Sequence, residues 1–151
     1  MLQHILSLFS PAQSGTPKHG AHEMQIAAGA LLIEAALLDG HFDDRERAAI
    51  ERVLREKFSL TPAETADLLE AAESKVSNST QLFEFTRVIA RHFSEEERIG
   101  LVEMLCEVMY ADGTLHDYEA SLYRKIGELI HVSDRDRGDA RKRVLARMGM
   151  N

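Results

Sequence analysis

Apolar residues recur along this chain in steps of three and four, the spacing that stacks side chains on one face of an α-helix. Met24, Ala28, Leu31, Ala35 and Leu38 form the first stripe, which Asp39-Gly40 interrupts. A second helix is expected to begin near Asp43, with Ala49, Ile50, Val53 and Leu54 turned inward. Further stripes follow: Leu68, Leu69, Ala72 and Val76, fading in Ser77–Thr80; then Leu82, Phe85, Ile89 and Phe93; then Leu101, Leu105, Val108 and Met109. Asp112-Gly113 breaks the pattern again, before Tyr118, Leu122, Ile126 and Leu129 and a last set of Val144, Leu145 and Met148. No segment alternates apolar and polar residues over a useful length, so no strand is expected. The pattern predicts an all-α, compact bundle of roughly seven or eight helices joined by short connections.

Local start signals agree with these boundaries. In Thr61-Pro62-Ala63-Glu64, Thr61 can cap, Pro62 loses nothing at the first helical position, and Glu64 can reach back to the capping residue. Ser94-Glu95-Glu96-Glu97 reads as another capping box, and Ser133-Asp134-Arg135-Asp136 starts the last helix. Asp134 and Asp136 at its beginning and Arg141, Lys142, Arg143 and Arg147 towards its end complement the helix dipole. Ahead of the first stripe, Pro11–Gly20 (PAQSGTPKHG) reads as a linker. Met1–Phe9 is short and apolar, with no basic leader or cleavage site, and reads as a short helix or arm rather than a signal peptide. Residues 1–21 are thus expected to be arm and linker, and residues 22–151 one helical domain.

The 151 residues, 44% hydrophobic and 28% charged, suit a single globular domain with a sizeable core. No apolar run approaches the ~20 residues that span a bilayer, so no transmembrane segment is expected and the default location is cytoplasmic. A net charge of −7 argues against nucleic acid, whose affinity comes from many Lys/Arg–phosphate contacts. It also disfavours a purely electrostatic attachment to an anionic membrane, leaving other peripheral association open. A cation or a basic protein partner fits the charge better. Cys106 is the one cysteine, which excludes an internal disulfide framework and a thiolate metal cluster.

The most informative feature is a self-similarity. Glu34-Ala-Ala-Leu-Leu-Asp39-Gly40-His-Phe-Asp43-Asp44-Arg-Glu46 aligns without a gap on Glu107-Val-Met-Tyr-Ala-Asp112-Gly113-Thr-Leu-His116-Asp117-Tyr-Glu119. Five positions are identical, and four of those five are acidic. An amphipathic helix follows each copy, so the two blocks predict a pair of helical hairpins with an internal two-fold repeat. A helix ending in Asp-Gly, an apolar residue two further on and a Glu heading the next helix, repeated in an all-helical chain, resembles the TerB family. The resemblance covers about Glu23 to Met148. It implies a domain associated with tellurite resistance and stress operons, whose relatives occur beside chaperone modules and near membranes. It also implies that acidic residues at the Asp-Gly blocks bind metal: here Asp39, Asp44, Glu46, Asp112, Asp117 and Glu119. The copies differ at His116, which stands where the first has Asp43.

Two readings of the blocks stand open. Asp39, Gly40, Phe42 and Glu46, like their counterparts, match the second half of an EF-hand loop, but Ala35 and Leu37, or Val108 and Tyr110, occupy the first and third ligand positions. An ordinary EF-hand is therefore excluded. A weaker site for a divalent cation (calcium, magnesium or zinc) could use Asp39, a carbonyl, Asp43 or Asp44, Glu46 and water. The plainer reading makes Gly40 and Gly113 left-handed helix ends, Asp43 a cap with Glu46 completing a box, and Asp44 and Asp117 first-turn charges. Glu34 and Glu107 precede each Asp by about 140° of helix, and surface positions are expected for both.

Other candidates carry less. His19 and His22 read as solvated histidines, His92 and His131 as helix-end residues, and Cys106 as a small core residue. Arg135–Arg147 reads as a solvated helix face. No phosphate loop or catalytic triad can be assembled, so a non-enzymatic role is expected. The alternative is a co-chaperone-like or scaffold module that works through an apolar groove, with the acidic turns purely structural. Met1–Phe9 could dock in that groove, in cis or on a second subunit as a homo-oligomer.

Overall fold

The computed structural model describes residues 21–38, 40, 43–78, 82–111 and 117–149, which are the basis of every structural statement below. Seven helices make up these residues: α1 (Ala21–Leu38), α2 (Asp44–Phe58), α3 (Pro62–Asn78), α4 (Leu82–His92), α5 (Glu95–Met109), α6 (Asp117–Leu129) and α7 (Asp134–Arg147). There is no strand among them. Met1–Phe9 and the linker through Gly20 lie outside the described residues.

The start signals work as their chemistry dictates. Glu64 N–H donates to Thr61 Oγ1 at 3.1 Å while Thr61 N–H donates to Glu64 Oε1 at 2.9 Å, closing the box that opens α3. The same reciprocal pair, Ser94 and Glu97, opens α5 at 2.6 and 3.1 Å. Ser133 Oγ accepts from Asp136 N–H at 3.1 Å to open α7. Each satisfies backbone donors that the first helical turn leaves unpaired.

Two turns share one design whose left-handed residue the sequence did not predict. α2 ends on Ser59 at φ 55°, and Leu60 N–H donates back to Arg55 O at 3.0 Å. α6 ends on His131 at φ 62°, with Val132 N–H on Gly127 O at 2.8 Å and His131 N–H on Glu128 O at 3.1 Å. Both are Schellman closures in which a non-glycine residue takes the left-handed position. His131 thus stands at the end of α6, as its position in the sequence suggests, and takes the left-handed conformation there. An apolar residue and a Thr or Ser cap follow in each case, so α2 leads into α3 as α6 leads into α7.

The core has two central helices. α1 packs most extensively on α3 and also on α4, α2 and α5, while α5 packs most on α7 and also on α2 and α6. Close approach explains the first interface: a Cβ on Gly29 would stand 3.1 Å from the Ala72 side chain of α3, so glycine lets the two helices meet. Ala49, Ile50, Val53 and Leu54 of α2 and Leu68, Leu69, Ala72 and Val76 of α3 are buried, as their spacing predicts. On α1 the single-stripe expectation is corrected. Leu32, Ile33, Glu34 and Ala36 are buried along with Leu31 and Ala35, whereas Leu38 is 43% exposed. A helix whose apolar residues lie all round its circumference is enclosed rather than half-buried.

Candidate functional site

The described part of the first acidic turn begins at Gly40, whose φ of 78° is the left-handed conformation expected of a glycine ending a helix, with its N–H on Leu37 O at 3.1 Å. Asp43 follows as the N-cap of α2, its Oδ1 accepting from Glu46 N–H at 2.9 Å. That bond commits one Asp43 oxygen to the backbone. Asp44 is exposed in the first turn of α2, where a negative charge faces the positive end of the helix dipole. Glu46 is partly buried. In the second copy Glu119, the residue aligned with Glu46, is 3% exposed and so turned into the protein. Asp39, Asp112, Gly113 and His116 lie outside the described residues, as does the side chain of Asp117. Among the described residues no three His, Cys, Asp or Glu side chains stand together as a metal-binding group.

Glu34 and Glu107 are not surface residues. Each is 7% exposed and sits in a run of buried residues, Leu31 to Ala36 on α1 and Met104 to Tyr110 at the end of α5. Their surroundings then diverge. Glu107 Oε1 accepts from Arg147 Nη2 at 2.6 Å, Arg52 Nη1 lies 3.6 Å from Oε2, and Lys57 Nζ lies 4.0 Å from Oε1. Arg147 also donates through Nη1 to Glu103 Oε1 at 3.0 Å, and Arg143 holds Glu103 Oε2 at 2.9 and 3.0 Å. The α7 basic run is thus not a freely solvated face. Two of its arginines clamp α7 onto α5. Glu34 has neither a hydrogen bond nor an ion pair with any described residue, and burial alone pushes its carboxyl above the ordinary 4.5. Sequence spacing missed this inward turn. The scarcity of charge in α1, where Glu23 and Glu34 are the only acidic or basic residues beside His22, was the signal that could have found it.

Cys106 is buried, and desolvation pushes its thiol up to about 11, which makes it a core residue rather than a nucleophile at neutral pH. Tyr123 beside it is raised for the same reason and donates its hydroxyl to Arg137 O at 2.9 Å. His22 lies exposed in the first turn of α1. A groove of about 220 Å³ runs between α1, α3 and α4, floored by Ile26, Ala27, Ala71, Phe85 and Val88 and rimmed by Glu23, Ser74 and Lys75. No described helix is long and apolar enough to cross a membrane.

No curated protein and no solved structure matches the chain. The family described as tellurite resistance protein TerB matches residues 25–142, which takes in both acidic blocks and the helices α2 to α6 whole. The enclosed helix, the Asp-Gly interruption and the acidic helix start that follow one another twice all fall within that match: this chain belongs to the TerB family.

Proposed function

We propose that the chain acts without catalysis, as a tellurite-resistance- and stress-associated TerB domain whose working parts are its two acidic Asp-Gly turns, where it holds a divalent cation. One observation carries this reading: each turn is mounted on an enclosed central helix, and the glutamate closing each block points inward, Glu46 partly and Glu119 almost wholly buried. Carboxylates turned inward beside a turn are oxygen donors of the kind a hard divalent cation takes. The donors are carboxylate oxygens, which suit calcium or magnesium better than zinc. Asp39 and Asp112 would complete the set.

Calorimetric titration of the metal-stripped protein with calcium, magnesium, zinc and manganese tests the proposal. Saturable binding that disappears in the Asp39→Ala, Asp112→Ala double variant is the expected result. Equal behaviour of wild type and variant, with or without heat, would reduce the turns to helix caps.

The groove between α1, α3 and α4 favours a second reading, in which the domain is a scaffold or co-chaperone-like module. Its apolar floor starts beside Glu23, three residues in sequence after the linker-like Pro11–Gly20 that follows Met1–Phe9. Deleting residues 1–10 should then lower stability or change the oligomeric state. A deletion without either effect would remove this reading.

A further inference from the structure

Leu37 and Leu38, 47% and 43% exposed, are the large apolar side chains that stand out into solvent among the described residues. They follow Glu34 by three and four positions, so all three share one face in the last turns of α1. Glu34 is recessed between its neighbours at 7% exposure without a described partner, yet its carboxylate oxygens are not fully enclosed and open to the surface. The result is a negatively charged slot beside two solvent-facing leucines. The aligned position in the second block shows what relieves such a carboxylate: α7 lays Arg147 across Glu107 at 2.6 Å and packs Val144 on the same core.

We propose that Glu34, Leu37 and Leu38 form a docking site for a basic, apolar segment of a partner protein, which seats an arginine on the Glu34 carboxylate and covers the two leucines. Arginine suits the slot better than lysine because its planar fork can meet both carboxylate oxygens. A metal ion does not fit: one carboxylate flanked by leucines supplies too few oxygens. The α7 arginines of a second copy are not free to fill it, because Arg137, Arg141, Arg143 and Arg147 are already engaged by Asp134, Tyr110, Glu103 and Glu107 within the chain. The site is separate from the cation reading, and the two can fail independently.

The test is a displayed library of helical peptides selected on the wild-type protein. The winners are then titrated against Glu34→Gln, Leu37→Ser/Leu38→Ser and Asp39→Ala/Asp112→Ala. Glu34→Gln keeps the side-chain shape and the two leucines are exposed, so both variants fold; thermal melting checks this. Expected are peptides dominated by an arginine between apolar residues, losing about tenfold or more in affinity for each of the first two variants and little for the third. Four results would overturn the proposal: no binder, binders without basic residues, equal binding to Glu34→Gln, or a loss confined to the Asp39/Asp112 variant. A wild-type dimer in sedimentation that Glu34→Gln dissociates would also overturn it, by seating a second copy there.

Discussion

α1 and α5 each run into an Asp-Gly block, and each buries a glutamate at the same place in the block. On α5 that glutamate meets Arg147, Arg52 and Lys57; on α1 it meets no described counter-charge. The difference lies in what covers each helix. α7 brings Arg143 and Arg147 onto the glutamates of α5 and Arg141 onto Tyr110 at its end, whereas α3 brings alanines and the single Lys75 over α1, close enough for Ala72 to stand against Gly29. Two nearly equivalent carboxylates therefore have opposite energetics. A buried charge is settled by the neighbouring helix, not by its own.

The sharpest way to break the comparison is to ask whether the two helices are equally central. Leu32 and Leu105 occupy aligned positions and are 0% and 1% exposed. Leu32→Ala and Leu105→Ala should each cost about 2–5 kcal/mol in urea unfolding. A loss confined to one would make that helix the core and the other a cover. Glu107→Gln comes next. It weakens the charge-assisted bond to Arg147, and because that arginine is 43% exposed the expected loss is reduced to about 1–2 kcal/mol at pH 7.

Asp43→Ala removes the α2 cap and should cost about 1 kcal/mol in the same assay. It tests whether the first turn is held by its cap. Smallest, and of opposite sign, is Glu34→Gln. Burial holds the Glu34 carboxyl above its ordinary 4.5, so what this group contributes to stability is present below that pH and is lost as pH rises through the folded-state value. The glutamine variant should therefore melt higher than wild type at pH 7, by up to about 3 °C, and the gap should close towards roughly pH 4. A variant that melts lower at pH 7 would reveal a counter-charge on Glu34.

Helices and their starts were legible because caps are local: Thr61 with Glu64 and Ser94 with Glu97 lie three residues apart and need no knowledge of the rest of the chain. The left-handed ends at Ser59 and His131 were not legible, since neither residue type demands that conformation. The enclosure of α1 was misjudged for a different reason. Its alanines allow neighbours to approach from any side, and a stripe of Met24, Ala28, Leu31, Ala35 and Leu38 cannot say how many sides are covered. The site was legible as a repeated block but not as a geometry. Asp43 as a cap could be read from spacing, whereas the inward Glu119 and the pairing of Glu107 with Arg147, forty residues away, depend on tertiary packing.

The position of Cys106 has a practical consequence. It is the chain's only thiol, it is 1% exposed on α5, and desolvation holds it protonated up to about 11. An alkylating reagent needs the thiolate and a path to it, and both arise only when α5 leaves its neighbours. The rate at which a maleimide or iodoacetamide modifies the native protein therefore counts opening events of the core itself. That gives each purified sample, with no engineered probe, a single-site reporter of global opening.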